Sequence, residues 1–162
     1  MEPGAKPGSE FSNMTRADVT ASVLESKRRQ GLTWKAIAEK LDMASPVFCT
    51  AALLGHHQLT PAEAGKAAAL LNLTESETQI LTEPPEERGA SQKMPPSDPL
   101  IYRFYELVQG YGPTLKALIN EEFGDGIMSA IDFTMEIGRE PDPKGDRVRI
   151  TMSGKFLPYR RF

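Results

Sequence analysis

The sequence predicts an α+β protein: an N-terminal orthogonal bundle of five short helices, then a small C-terminal domain of two helices and a β-hairpin. Three observations predict it. Residues 15–81 repeat one pattern, a capping residue followed by apolar residues at helical spacing and then a stop. Residues 82–97 carry four prolines and no apolar period, which marks a linker. After Gly124-Asp125-Gly126 the apolar period changes from helical to two, the period of a strand.

The elements follow in order. Residues 1–14 are rich in Gly, Pro and Ser, lack the basic and apolar stretches of a secretory signal, and are expected to form a tail. The first helix puts Val19, Val23 and Leu24 on one face and stops at Gly31. Thr33 caps a second, with Trp34, Ile37, Ala38 and Leu41 inward, and Ser45-Pro46 opens a third that Gly55 closes. Thr60-Pro61-Ala62-Glu63 and Thr74-Glu75-Ser76-Glu77 are capping boxes for the fourth and fifth. Cys49 stands among Val47, Phe48, Ala51 and Leu53 and reads as a buried, inert thiol.

Beyond the 82–97 linker, Asp98-Pro99 opens a helix through Ile101, Tyr102, Phe104, Tyr105, Leu107 and Val108 to Gly110. It is apolar almost all round, so it is expected to be buried on more than one side. A second helix is predicted from Pro113 to Phe123. In the strand that follows, Ile131, Phe133, Met135 and Ile137 share one face, and Asp132, Thr134 and Glu136 the other. A loop at 141–146 leads to Val148, Ile150 and Met152, alternating with Arg147, Arg149 and Thr151. Residues 98–162 form too small a core to stand comfortably alone, and an isolated hairpin is marginal in water. Assembly with other subunits follows as a physical expectation.

Composition narrows the function. The 162 residues carry a net charge of −3, which gives no overall bias toward nucleic acid or anionic membrane. One cysteine permits no intrachain disulfide and points to a reducing, cytoplasmic setting. No run approaches the roughly 20 apolar residues of a membrane span. The segments 33–41 and 46–54 have helix-turn-helix proportions, so a DNA-binding regulator with a C-terminal oligomerisation domain is the rival reading. Base reading needs Arg, Lys, Asn or Gln; the second segment offers Val47, Phe48, Cys49, Thr50, Ala51 and Ala52. His56-His57 lack a third ligand nearby and read as solvent-facing loop residues, not a metal site.

Two places remain where chemistry fits. Arg103 and Glu106 lie three apart on one helix face, a charged pair in an apolar setting, where such groups persist only if paired or bound. Ser129 follows a glycine turn with no His–Asp relay nearby, so anion binding by its hydroxyl and nearby backbone N–H groups fits better than a triad.

Taken together, Ile101-Tyr102-Arg103-Phe104-Tyr105-Glu106, Tyr111-Gly112, the run Ile119 to Phe133 containing Glu121-Glu122-Phe123-Gly124-Asp125-Gly126-Ile127-Met128-Ser129-Ala130, Pro143-Lys144-Gly145-Asp146-Arg147-Val148 and Ser153-Gly154-Lys155-Phe156-Leu157-Pro158-Tyr159 resemble cyanase, the bicarbonate-dependent cyanate lyase family. The likeness covers residues 98–162 almost without gaps and 15–81 more loosely, where the family has a repressor-like bundle. Gly110 and Pro113 depart from the family pattern. The resemblance implies decomposition of cyanate with bicarbonate, through carbamate, to ammonia and carbon dioxide, and so cyanate detoxification with release of nitrogen. It implies a homodecamer, a pentamer of dimers, with sites at subunit interfaces. It also implies Arg103, Glu106 and Ser129 as catalytic residues and Arg103, Ser129 and Ala130 as substrate-binding, with no metal or organic cofactor and bicarbonate as co-substrate.

Overall fold

The structure, a computed structural model, describes residues 14–86 and 94–161. Residues 1–13 of the expected 1–14 tail and the centre of the proline-rich linker, 87–93, lie outside the described residues. The chain divides into two compact units, residues 1–89 and 90–162.

The first unit is helical: α1 (Arg16–Arg29), α2 (Trp34–Lys40), α3 (Pro46–Leu53), α4 (Pro61–Leu71) and α5 (Glu75–Thr82). Its starts are set by side chains. Thr33, Ser45, Thr60 and Thr74 each accept a backbone N–H of the first turn, and Glu63 and Glu77 reach back to complete capping boxes. Thr15 and Asp18 form a third box at α1. Such caps contribute about 1 kcal/mol each. Val19, Val23, Ile37, Leu41, Cys49, Leu53, Leu59, Leu71 and Leu81 pack into one fully buried cluster. Glu77 is buried with its box; burial pushes its pKa up, but hydrogen bonds from Ser22 and Thr74 outweigh that and hold it below the usual range. Burial, with the nearby Glu63 charge, pushes the Cys49 thiol up to about 11, so it is inert at neutral pH.

Arg16, at the start of α1, ties this unit together. Its guanidinium donates to the carbonyls of Ile80 and Glu83 at the end of α5 and to that of His57 in the loop after α3. His56 and His57 are half-buried, not solvent-facing, and the His57 ring lies 5.1 Å from that of Phe48. The clasp draws the loop inward, which sequence spacing does not reveal.

The second unit consists of α6 (Pro99–Phe123), β1 (Gly126–Glu140) and β2 (Arg147–Pro158), the strands paired antiparallel. Where two helices are predicted there is one, running unbroken through Pro113. A proline deletes a single backbone hydrogen bond and crowds one preceding carbonyl; in a 25-residue helix the turns on either side carry it across. Gly124, at φ 92°, ends α6 in a conformation that favours glycine. The apolar surface of α6 is not covered within the chain: none of its residues is buried. Ile137, Val148 and Met152 on the apolar face of the hairpin are exposed too.

Candidate active site

Asp98 opens α6 by accepting the N–H groups of Leu100 and Ile101, each at 2.9 Å, with Pro99 in the first turn. One turn further on, Arg103 Nη1 donates to Glu106 Oε2 across the predicted three-residue spacing. Both side chains are exposed in the single chain, so the confined setting expected from the apolar helix is absent there. An exposed pair of this kind contributes about 0–1 kcal/mol to stability. Its consequence is orientational: the guanidinium is turned toward Glu106.

Ser129 sits in a bulge. Gly126–Met128 pair with Phe156–Pro158, and pairing resumes at Phe133 opposite Gly154. Residues 129–132 therefore face Lys155 alone. The break displaces Ile131 from the apolar face to which alternation assigned it, leaving it 97% exposed. It turns Ser129 inward, to 6% exposure. There Ser129 Oγ accepts the N–H of Ile131 at 3.0 Å and of Asp132 at 2.9 Å. Bulges take backbone donors out of the ladder; here the serine hydroxyl accepts two of them. These N–H groups are therefore directed at Ser129, not at a ligand as the sequence suggested.

A hydroxyl has two lone pairs and one proton. Both lone pairs are occupied, so what remains is donation through O–H. A fixed donor suits an anion and is poorly disposed for nucleophilic attack. Ala130 follows on the exposed side of the bulge. Gly154, opposite, is a residue that sequence reasoning passed over as a site element. A glycine between Met152 and Phe156 in an alternating strand was the available signal, since such glycines mark bulges or close backbone approach.

The single chain does not bring these two places together. Arg103 lies 20 residues before the end of α6, about 30 Å at 1.5 Å per residue. The hairpin strands pack on each other, and α6 meets them at its C-terminal end, where the Phe123 and Phe156 rings are 5.3 Å apart. Among the described residues, no group of three or more His, Cys, Asp or Glu is placed to hold a metal ion. On α3, the predicted reading helix, Pro46 and Phe48 are the exposed residues.

Comparison with known proteins gives these positions a context. Residues 93–161 match the cyanate lyase C-terminal domain and residues 16–85 the cyanate hydratase N-terminal domain. A cyanate hydratase from Ralstonia pickettii is 53% identical over 149 residues, covering 92% of this chain and 100% of the relative. One from Thiobacillus denitrificans is 54% identical over the same length and coverage. The crystal structure of cyanase from T. urticae superposes with a TM-score of 0.74 at 36% identity, covering 86% of this chain and 96% of that one. Both units of the chain are thus matched, and the chain belongs to the cyanate lyase (cyanate hydratase) family.

Proposed function

We infer that this chain is a cyanate hydratase, a lyase that decomposes cyanate, with bicarbonate as second substrate. A bicarbonate oxygen attacks the cyanate carbon, forming a C–O bond. The bicarbonate C–O bond on the far side of that oxygen then breaks and releases carbon dioxide. The cyanate nitrogen takes up the bicarbonate proton and one more, leaving carbamate, which with a further proton yields ammonia and a second carbon dioxide. The Ser129 hydroxyl carries the reading, because its occupied lone pairs leave it only a proton to offer an anion.

The physical difficulty is the meeting of two anions. At ~4 Å two unit charges repel by about 4 kcal/mol at an effective dielectric near 20. Arg103 offsets that repulsion, Glu106 orients it, and Ser129 with the Ala130 N–H binds the substrates. Rate enhancement then comes from proximity and fixed charge, without metal or organic cofactor. Because Arg103 and Ser129 stand apart in one chain, the site is completed by neighbouring subunits, in a decamer built as five dimers. The uncovered apolar surfaces of α6 and the hairpin support that assembly. In this reading residues 15–81 are a repressor-like orthogonal bundle, 82–97 a linker and 98–162 the catalytic and oligomerisation domain. The protein works in the cytoplasm, removing cyanate and releasing its nitrogen. Among the described residues no helix is long and apolar enough to cross a membrane.

The test is ammonia release from cyanate with and without added bicarbonate. Bicarbonate-dependent release is expected; no release under either condition would sink the reading.

A further inference from the structure

We propose that Gly154 is a positioning residue for Ser129: the absence of a side chain at 154 lets β1 bulge at residues 129–132 and so holds the Ser129 hydroxyl as a donor. The proposal rests on Ser129 being a site residue.

Space, not backbone freedom, makes glycine necessary here. The φ of Gly154 lies outside the left-handed range, so an L-residue could adopt the same backbone. A Cβ at this position would fall well inside 3 Å of the Ser129 carbonyl oxygen, 2.7 Å from Met128 Cγ and 3.3 Å from Phe133 Cδ2. The Met128 side chain can swing aside; a backbone carbonyl cannot move alone. Displacing it moves the residue whose Oγ bridges the Ile131 and Asp132 N–H groups at 3.0 and 2.9 Å. A displacement approaching 1 Å at a group that contacts substrate costs about 10²-fold in rate.

The same hairpin supplies a control. A Cβ on Gly138 would meet nothing nearer than Arg149 Nη2 at 3.8 Å. A Cβ on Gly126 would strike the Leu157 carbonyl and the Phe156 ring, in the regular ladder before the bulge. Gly126→Ala therefore reports strand damage and Gly138→Ala a harmless methyl.

The experiment measures kcat and KM for cyanate in the assembled full-length protein. Gly154→Ala is expected to lower kcat/KM by about 10²-fold, with Gly138→Ala unchanged. In a Ser129→Ala background, Gly154→Ala is expected to change kcat/KM by no more than about twofold, because the group it positions is gone. An equal loss in both backgrounds, or full activity of Gly154→Ala beside a crippled Ser129→Ala, overturns the proposal. So does a Gly154→Ala chain that fails to assemble while Gly126→Ala assembles, since that makes Gly154 a folding residue. Full activity of Ser129→Ala defeats the underlying site reading as well, and so separates the two failures. Hydrogen exchange over residues 128–133 is an independent reading that does not need Gly154→Ala to fold. Exchange must accelerate in Ser129→Ala, and an unchanged rate breaks the inference.

Discussion

The two units of this chain solve opposite problems. The helical unit buries its apolar residues within itself: Val19, Ile37, Leu53, Leu71 and Leu81 are all sealed from water. In α6, β1 and β2, among the described residues, the one buried side chain is that of Ser129, a polar one. The second unit thus leaves its apolar area uncovered within the chain, while its strands enclose a hydroxyl. The proposed assembly would cover that area and, in the same step, complete the proposed site.

Placing a charge on the uncovered surface tests that contrast most severely. Leu107→Asp on α6 should abolish both assembly and activity, read by light scattering and ammonia release, because an unpaired carboxylate in a buried interface is strongly disfavoured. Leu24→Asp, on a half-exposed position of α1, should leave both intact. An assembled Leu107→Asp protein would mean that this face of α6 is meant for water.

Arg103→Leu comes next. It should lower kcat/KM by about 10³-fold, the scale of removing a fixed stabilising group from a site, while leaving the assembly and its thermal transition in place. Near-normal turnover would remove the arginine from the mechanism and make the exposed ion pair an ordinary one.

The third change moves to the helical unit. Leu53→Ala should cost that unit about 2–5 kcal/mol, the range for emptying a buried leucine site, visible as an earlier transition in calorimetry. Activity below that transition should be kept. Equal loss of activity at low temperature would show that the two units are not energetically separate.

The smallest effect is one of pH. Cys49 is held protonated to about 11 in the folded state, above an ordinary value near 9. The unfolded chain therefore loses its thiol proton first as pH rises. The contribution is complete below about 9 and is lost by about 11, roughly 2 kcal/mol over that window. Denaturant titrations at pH 8 and pH 11 should show that loss, and Cys49→Ala should remove it. A slope unchanged by Cys49→Ala would place the dependence elsewhere.

What was legible in the sequence was local. Thr33, Ser45, Thr60, Thr74 and Asp98 act on N–H groups two or three residues away, so their pattern carries the helix starts. The sequence read Pro113 as a boundary because its local cost is evident and the compensating turns are not. The alternation of Phe133, Met135 and Ile137 was visible; the bulge before it was not, because Ile131 fits the period while its backbone leaves the ladder. Of the candidate site, Arg103 and Glu106 stood out through spacing and Ser129 through its glycine turn. The orientation of the Ser129 hydroxyl depends on Gly154, 25 residues away and across a strand, where no local pattern reaches.

The Arg16 clasp has a consequence for the shape of the path. By gripping Ile80 and Glu83, the first residue of α1 fixes the entry and exit of the helical unit side by side. Within the unit, the start of α1 and the end of α5 therefore lie together. Its two ends can therefore be joined by a short bridge and new ends opened elsewhere, as chains with adjacent termini tolerate.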